Sequence, residues 1–337
     1  MQLEPLDPEE AVEQYLMSRQ HDASKQTILN HRYRLKQFLQ WCEETGFEEM
    51  NDLTGRKAER FKNWRITECD INSMTLENHL RTFRVFVRWC EANEAVESGV
   101  ADKIIIPKVT RSEKVREESV EHERAEAIID YLSRFEYASV THVIFHLLWH
   151  TGMRRGALYG LDKDDWHPSE GYLSVQHRPE TDTPLKLGDD GERNLTIADD
   201  LLAEALNDYI AHNRHDVTDD HGRKPLLTSS QGRLHASTIQ HQVYKLTRPC
   251  YYSDDCPHQR DVEDCEATEF DRYAKCPSSV SPHPVRRGAI TAHLNRDVPK
   301  EIASERMSVS VDTLEEHYDA RSKEEKRRNR EQYLNSL

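Results

Sequence analysis

Four amphipathic segments fill the N-terminal third of the chain, and each follows a residue that favours the start of a helix. Asp7-Pro8 supplies an N-cap and a proline at the first helical position, and Ser24, Thr54 and Thr75 precede the other three segments. Apolar side chains recur at helical spacing in every segment. These are Val12, Tyr15 and Leu16; Ile28, Leu35, Phe38, Leu39 and Cys42; Ala58, Phe61 and Trp64; and Leu76, Leu80, Phe83, Val87 and Cys90. The pattern predicts a small helical bundle over residues 1–106.

A polar, proline-started and charged stretch at residues 107–120 is typical of an interdomain linker. Beyond it, residues 121–337 alternate between helical and strand patterns. Val140–His150 predicts a buried helix, and Tyr172–Gln176 and Arg193–Ile197 predict two strands. Further helical periodicity covers Ala125–Leu132, Leu201–Ile210 and Ile239–Leu246. We therefore expect a mainly α chain with one small antiparallel β-sheet, in which an α+β domain follows the helical bundle.

The chain is acidic, with 61 Asp and Glu against 46 Lys and Arg and a formal net charge of −15. Arg outnumbers Lys by 31 to 15. The acid excess and the scarcity of Lys favour a protein of a high-salt cytoplasm, such as that of a haloarchaeon, and an ordinary acidic enzyme is the alternative. Since DNA affinity depends on Lys and Arg that neutralise phosphates, a DNA-binding protein of this composition must concentrate its cations.

Two helices of the predicted bundle carry such concentrations. Their basic side chains recur at helical spacing, away from the apolar stripe. They are Lys25, Arg32 and Lys36 on the second helix, and Arg81, Arg84 and Arg88 on the fourth. Either face alone is typical of a solvated helix surface. Two such faces in an acidic protein indicate a surface that follows DNA phosphates.

Nothing in the sequence predicts a membrane or secreted protein. No apolar run is long enough to cross a bilayer, and the first residues lack the basic and then apolar order of a signal peptide. The seven cysteines are then expected as thiols or metal ligands in a reducing cytoplasm, and not as disulfides.

The order of motifs in the second half is the main functional signal. Thr151-Gly152-x-Arg154 comes first, Lys186 follows between the two predicted strands, then His283-x-x-Arg286, and finally Tyr318. This series resembles the tyrosine recombinase, or phage integrase, family. The N-terminal helices are similar to the core-binding domain of that family, so the resemblance covers nearly the whole chain.

The resemblance implies a role for each of these side chains. Tyr318 would attack a DNA phosphate while Arg154 and Arg286 neutralise its nonbridging oxygens through forked, permanently charged hydrogen bonds. Lys186 would protonate the leaving 5′-oxygen, and His283 would accept the tyrosine proton or support the phosphate. A lysine in a charged turn is otherwise usually solvated, which leaves Lys186 with two interpretations.

The resemblance also implies partners and cofactors. The partner is double-stranded DNA, bound by a homo-tetramer on paired sites that is a monomer or dimer off DNA. A 3′-phosphotyrosyl bond conserves the energy of the broken link, so strand joining needs neither a nucleotide cofactor nor a metal. No membrane is involved. The charged C-terminal segment would dock on a neighbouring protomer or remain a solvated tail.

The sequence departs from the family pattern at three positions. Ala157 stands where an acid is common, Arg287 where a histidine usually follows the second motif arginine, and Ser308-Val309 where a Gly-His pair is usual. Losing one preorganised donor of the kind that such a histidine provides costs about 2.7–4 kcal/mol unless another group replaces it. His317 or Arg287 are candidates for that replacement. Arg155 and Arg287 directly follow the two motif arginines, so a catalytic assignment shifted by one residue is the alternative. The motif spacings favour Arg154 and Arg286, and we assign Arg155 and Arg287 to DNA contact.

A cysteine-rich insertion at residues 248–281 lies outside the family pattern. It contains four of the seven cysteines, with one histidine as an alternative ligand. They are Cys250, Cys256, Cys265 and Cys276, with His258. Clustered cysteines in a reducing compartment predict a structural zinc site, and packed free thiols are the alternative. Such a site would hold the insertion rigid and present Arg248, His258, Arg260 or Arg272 towards DNA.

Three functions remain compatible with the sequence. The first is site-specific DNA strand exchange during integration or excision of a mobile element. The second is relaxation of supercoils by an enzyme similar to type IB topoisomerases, against which the small size and the N-terminal bundle argue. The third is a DNA-binding or architectural protein with weakened chemistry, which Ala157 and Val309 favour.

Overall fold

The computed structural model describes residues 3–108, 118–253, 255–296 and 298–317. The chain divides into two compact units, residues 1–116 and residues 117–337. The division falls within the stretch at 107–120 that was expected to be a linker. No helix in the described ranges is both long and apolar enough to cross a membrane.

Unit one is a helical bundle. Its helices are α1 (Pro8–Ser18), α2 (Lys25–Thr45), α3 (Gly55–Thr67) and α4 (Ser73–Ala92). The side chains of Asp7, Ser24 and Thr54 accept backbone N–H groups at the first turns of α1, α2 and α3, as their sequences predict. α2 ends at Gly46, which adopts the left-handed conformation (φ 66°) that favours glycine at this position.

The start of α4 differs from the sequence prediction. The N-cap is Asn72 and not Thr75, because the Asn72 Oδ1 atom accepts the backbone N–H of Thr75 at 2.8 Å. Thr75 is therefore already inside the helix, at its third position. Both residues are of types that cap helices, and only the backbone conformation distinguishes them.

An aromatic cluster forms the centre of the core of unit one. Phe38 of α2 is fully buried at its centre, with ring centroids 4.8 Å from Phe83 and 5.5 Å from Phe61. Trp41 and Phe86 extend the same cluster. The apolar stripes of the four helices meet here, as their periodicity predicts.

Unit two is built around one buried helix. Its helices are α5 (His122–Phe135), α6 (Val140–Thr151), α7 (Arg155–Gly160), α8 (Asp200–Asp208), α9 (Ala236–Leu246), α10 (Pro249–Tyr252), α11 (Pro282–Asn295), α12 (Lys300–Met307) and α13 (Val311–His317). Residues 140–149 of α6 are buried except Val140, which is half-buried. A helix buried on all sides needs other elements to cover each of its faces, and here α5, α8, α9 and α11 do so.

The described residues contain two small antiparallel sheets, where the sequence predicted one. The first comprises β1 (Trp166–His167), β2 (Tyr172–Val175) and β3 (Arg193–Thr196), in the order β1-β2-β3. The second is a hairpin of β4 (Thr228–Ser229) and β5 (Gly232–Arg233). β2 and β3 match the two predicted strands. β1, β4 and β5 have two residues each, which is too short for an alternating pattern to be recognised.

α11 packs unusually closely against its surroundings. The Val120 N–H donates to the Pro284 carbonyl at 3.2 Å, so residue 120 lies directly on the first turn of α11. A Cβ atom at Gly288 would lie 2.0 Å from the Val120 carbonyl oxygen and 2.9 Å from the Trp149 ring. Only glycine permits this approach, which sets the position of the His283–Arg286 turn relative to α6.

Candidate active site

The turn after α6 positions the first motif arginine. Gly152 ends the helix in the left-handed conformation (φ 59°), and a Cβ atom there would lie 3.0 Å from the Met307 sulfur. Glycine adopts this backbone conformation without strain, and an added Cβ atom would require the Met307 side chain to shift. Arg154 follows in extended conformation as the N-cap residue of α7. The Thr-Gly-x-Arg sequence therefore places a guanidinium at the junction of two helices.

The second motif arginine meets the first at the end of α12. Arg286 is buried, and its Nη1 atom donates to the carbonyls of Gly152 at 2.6 Å and Met307 at 2.7 Å. The Ser308 carbonyl accepts from Arg154 Nη1 at 2.7 Å and from Arg286 Nη2 at 3.5 Å. Two guanidinium groups that are 132 positions apart in sequence thus converge on one backbone oxygen. Side chains oriented in this way are suited to bind the oxygens of a phosphate.

His283 lies one helical turn before Arg286, at the start of α11. The residue is exposed to solvent. Partial desolvation of its ring, together with the positive charges of Arg287, Arg286 and Arg154, lowers the pKa of His283 below its usual value. The imidazole is therefore neutral at neutral pH and can accept a proton. The same charges show that His283 and three arginines share one electropositive region.

A further arginine, Arg193, belongs to this region and was not singled out from the sequence. Its Nε atom donates to the Arg306 carbonyl at 2.8 Å and its Nη1 atom to the Gly191 carbonyl at 2.6 Å. Burial and the charges of Arg154 and Arg306 lower its pKa to about 10. The sequence held one signal for it: Arg193 shares a face of β3 with the buried Leu195. A cation on the buried face of a strand is unusual and indicates a special role.

Two departures from the family pattern occur in apolar surroundings. Val309 is buried in a small cluster of apolar side chains from α11, α12 and α13, which includes Ile290, Met307 and Leu314. Ala157 is buried in the main core of unit two. The structure therefore accommodates valine and alanine as packing residues, and neither side chain has a hydrogen-bond donor.

Ser308, in contrast, is polar and adjoins the arginines. It ends α12 in the left-handed conformation (φ 50°, ψ 61°), which non-glycine residues rarely adopt. Arg154 Nη1 lies 3.4 Å from its hydroxyl oxygen. The residue that stands in place of the family's usual glycine thus brings a hydroxyl to the arginine pair.

The connection from β2 to β3 carries Lys186, whose side chain is exposed. The base of the connection is firmly held: Arg178 forms two hydrogen bonds with Asp165, at 2.9 and 2.5 Å, and Arg223 donates to the hydroxyls of Thr181 and Thr183 at 2.6 and 2.7 Å. The lysine is thus displayed on an anchored loop, and its catalytic role stays a prediction.

Tyr318 lies outside the described residues. The described chain ends with α13 at His317, the residue directly before it. The assignment of Tyr318 as the nucleophile therefore depends on the sequence motif. The structure adds the arrangement of Arg154, His283 and Arg286.

Comparison with known proteins supports the interpretation of both units. Residues 12–94 match the family model of the phage integrase N-terminal SAM-like domain. The Tn1549 transposon integrase, solved with transposon right end DNA, is 12% identical, covers 98% of this chain and 99% of its own, and has a TM-score of 0.66. A λ integrase dimer bound to a core site is 14% identical over 92% of this chain and 76% of its own, with a TM-score of 0.61.

A third match has higher sequence identity over a shorter range. The N-terminal domain of a phage integrase/site-specific recombinase from Haloarcula marismortui is 32% identical, covers 31% of this chain and 99% of its own, and has a TM-score of 0.30. A search of curated protein sequences finds no match. Residues 12–94 thus match the N-terminal domain of phage integrases, and the chain as a whole shares the tyrosine recombinase fold of the λ and Tn1549 integrases. The recognition made from the motif order is confirmed, as is the mainly α fold class.

Of the recombinase residues predicted from the sequence, the structure brings Arg154, His283 and Arg286 together with Arg287. Arg287 is half-buried beside His283. Arg155, the neighbour of Arg154, points elsewhere and donates to the side-chain oxygen of Gln240. The Thr-Gly-x-Arg spacing thus identifies the arginine that faces Arg286.

The predicted DNA-binding faces of unit one are exposed but partly engaged in ion pairs. Arg32 pairs with Glu13, Arg81 with Glu77 and Arg88 with Asp102. Arg84 is half-buried and donates to the Ile104 carbonyl. Lys25 and Lys36 are exposed on α2. Neighbouring carboxylates neutralise several of these cations. To bind DNA, these arginines would have to exchange a carboxylate for a phosphate.

In the described part of the cysteine-rich insertion, the regular structure consists of short helices at 249–252, 266–268 and 273–275. Three of its cysteines open tight turns, since the carbonyls of Cys256, Cys265 and Cys276 each accept an N–H three residues ahead. Burial raises the pKa of the Cys250 thiol, and the other three cysteines add to that rise, so all four lie in one neighbourhood. Among the described residues, no three or more His, Cys, Asp or Glu side chains are placed to hold a metal ion. The zinc site, including His258 as a ligand, stays a prediction.

The expectation for Arg248 is wrong. Its side chain is buried, donates to the Ala267 carbonyl at 2.7 Å and stacks over the Tyr273 ring at 4.6 Å. It therefore holds the insertion together and is not presented towards DNA.

Proposed function

We propose that this tyrosine recombinase is a site-specific integrase that cuts and rejoins DNA through a 3′-phosphotyrosyl intermediate. The observation that carries the proposal is the convergence of Arg154 and Arg286 on the Ser308 carbonyl, with His283 one turn away. Permanently charged donors fixed before the substrate arrives can stabilise a transition state without reorganising. Paired forks match the geometry of phosphate oxygens.

In the proposed cleavage step, the Tyr318 oxygen attacks phosphorus and the bond from phosphorus to the 5′-oxygen breaks. The tyrosine proton passes to the neutral imidazole of His283. Arg154 and Arg286 bind the nonbridging oxygens, on which negative charge accumulates. Rejoining is the reverse: the 5′-hydroxyl attacks the phosphotyrosyl bond and the phenol is released. The number of phosphoester bonds is conserved, so neither direction requires an external energy source.

Lys186 is proposed to supply the proton that the departing 5′-oxygen needs. An alkoxide is a poor leaving group, and an ammonium on an exposed loop can reach it once DNA is bound. The anchoring of this loop through Arg178 and Arg223 supports the assignment, because it limits the positions that the lysine can adopt.

The proposed partner is double-stranded DNA. Solved structures that share this fold are integrases in complex with DNA, among them the λ and Tn1549 proteins. We further propose a homo-tetramer on paired sites, acting in integration or excision of a mobile element in the cytoplasm of a halophile. Family resemblance and the acidic, arginine-rich composition support these finer assignments.

A nicked suicide substrate tests the proposal. Such a DNA loses a short fragment after cleavage, so the covalent complex accumulates and can be resolved on a denaturing gel. Tyr318→Phe should abolish the adduct and leave DNA affinity within about twofold. Tyr333→Phe changes the next tyrosine in the sequence and should still form the adduct. DNA binding at high salt without any adduct from the unsubstituted chain would overturn the proposal.

That last outcome would instead favour a second function, a DNA-binding protein with lost chemistry. The burial of Val309 in an apolar cluster is the observation behind it, because a histidine donor is absent where the family usually has one. A protein of this kind would protect its site from nuclease digestion, and Tyr318→Phe would leave that protection unchanged.

A further inference from the structure

The junction between α12 and α13 contains an unexpected residue. Ser308 has a backbone conformation that glycine adopts without cost, and the family usually has glycine here. Strained residues persist mainly where the surrounding structure imposes them, and they concentrate at functional sites. The Ser308 carbonyl orients Arg154 and Arg286, but glycine would provide the same carbonyl. The orientation of the arginines therefore does not explain why a serine occupies this position.

What serine adds is a hydroxyl beside the phosphate-binding arginines. Its oxygen lies 3.4 Å from Arg154 Nη1, which donates to it. A hydroxyl that accepts one hydrogen bond keeps its own proton to donate. Within the part of the chain that the structure describes, no protein acceptor takes that proton. A phosphate bound by the arginine pair would lie next to it.

The next residue, Val309, lacks a hydrogen-bond donor where the family usually has a histidine. Val309 is only 7% exposed and packs with Met307 and Leu314. Its side chain has no polar group to offer a phosphate. Compared with the usual family pattern, the chain therefore lacks a donor at position 309 and has a hydroxyl at position 308, beside the Arg154 guanidinium.

We propose that the Ser308 hydroxyl donates a hydrogen bond to a nonbridging phosphate oxygen in the transition state, in place of the histidine that the family usually has at position 309. This inference rests on the proposed function. It makes Ser308 a catalytic residue, since its hydroxyl would touch the reacting phosphate. It also explains why the chain retains a strained serine where glycine would be more stable.

Ser308→Gly is the decisive variant. It preserves the carbonyl that holds both arginines, removes the hydroxyl and relieves the backbone strain. We expect thermal stability to be maintained or raised, DNA affinity to be unchanged, and the single-turnover rate of adduct formation to fall at least tenfold. A fall of 10²- to 10³-fold is typical when one preorganised donor is removed.

Two further variants separate the hydroxyl from the backbone. Ser308→Asn tolerates the left-handed conformation and offers an amide N–H donor, so it should recover part of the rate that Ser308→Gly loses. Ser308→Ala retains the strain and has no donor, so it should be as slow as the glycine variant. As a control for strain relief alone, Glu94→Gly replaces another left-handed residue (φ 60°), in unit one, and should leave the rate unchanged.

The outcomes are distinguishable. If the unsubstituted chain forms an adduct and Ser308→Gly forms it at the same rate or faster, the assignment of Ser308 is overturned and the proposed function stands. If the unsubstituted chain forms no adduct on the nicked substrate, both are overturned together. A slower Ser308→Gly variant with normal stability and affinity supports both.

Discussion

At the scale of single residues, backbone carbonyls orient the two motif arginines. Arg286 is buried, and the oxygens of Gly152, Met307 and Ser308 accept from it. These carbonyls carry no net charge, so the three hydrogen bonds orient the guanidinium without cancelling its charge. A fixed positive charge attracts an anion. If the proposed function is correct, that anion is the phosphate of the bound DNA.

Arg154→Lys tests whether the forked geometry matters in addition to the charge. Lysine keeps the charge but has a single ammonium, so it cannot contact Ser308 and a phosphate in the same way. We expect adduct formation to slow by about 10²- to 10³-fold, the cost of one preorganised donor. The measurement is single-turnover cleavage of the nicked substrate.

Arg155→Lys is the matched control, because it makes the same change one residue later. Arg155 contacts Gln240 and not the Ser308 junction, so this variant should cleave within a few-fold of the unsubstituted chain. If Arg155→Lys were the slower of the two, the assignment of the motif arginine would be wrong by one residue.

At the scale of elements, two glycines determine how the helices that carry the site approach one another. Gly152 lets α6 end against Met307, and Gly288 lets α11 lie against Val120 and Trp149. Both glycines stand within two residues of a motif arginine. At Gly288 an added methyl group would meet a backbone oxygen, whereas at Gly152 it would meet the flexible side chain of Met307.

Gly288→Ala should therefore destabilise unit two. The added Cβ atom would lie 2.0 Å from a backbone oxygen, so α11 must move away from residue 120. Overpacking of this kind costs about 1–3 kcal/mol in free energy of unfolding. Thermal or denaturant unfolding checks the value, and adduct formation should fall as well because Arg286 moves with the helix.

Gly156→Ala serves as the control for that substitution. A Cβ atom at Gly156 meets nothing within 4 Å, and the residue lies inside α7. Alanine is favoured over glycine in helices by about 0.8–1 kcal/mol, so this variant should be equally or more stable. Equal destabilisation by both substitutions would mean that close packing at Gly288 is not the cause.

Most of the helices and the two longer strands could be predicted from the sequence because their signals are local. N-caps, apolar periodicity and the glycine ends of α2 and α6 all depend on neighbouring residues. The choice between Asn72 and Thr75, the two-residue strands and the burial of Arg248 depend on contacts between distant segments. In the site, motif order identified Arg154 and Arg286. Arg193 was missed although it shares a strand face with Leu195, because its neighbours Arg154 and Arg306 come near it only through the fold.

At the scale of the whole molecule, both units contain histidines that the fold keeps neutral. In unit one, burial and the charges of Arg65 and Arg34 lower the pKa of His79 to about 4. In unit two, burial and the neighbouring His146 lower the pKa of His142 to about 4. The Nδ1 atom of His142 accepts the Ala138 N–H at 3.2 Å, a hydrogen bond that protonation of this atom would break.

A third such histidine lies at the end of α6, beside the motif turn. Burial and the charge of Arg306 lower the pKa of His150 to about 4. Asp199, which pairs with His146 at 3.1 Å, offsets part of the pKa lowering at both His142 and His150. The hydrogen bond with His146 lowers the pKa of Asp199 itself, so its own contribution to stability is lost only under more acidic conditions.

These pKa values predict acid sensitivity in both units. Each histidine binds its proton more readily in the unfolded chain, where its pKa is near 6.5, than in the folded one. The folded state is therefore fully favoured above pH 6.5, and stability falls as the pH drops from 6.5 towards 4. The limiting slope is about 1.4 kcal/mol per pH unit for each histidine. Denaturant unfolding at fixed high salt, followed from pH 7.5 to pH 4.5, should show the loss.

His142→Gln isolates one contribution to that slope, because an amide does not titrate. The variant should be less stable at pH 7.5 through lost packing, yet its stability should fall less between pH 6.5 and pH 4.5 than that of the unsubstituted chain. His212→Gln, on the exposed surface of the same unit, should leave the pH dependence unchanged. If His142→Gln retained the full slope, the loss of stability in acid would have to come from the carboxylates of this acidic chain, and the buried histidines would not be its cause.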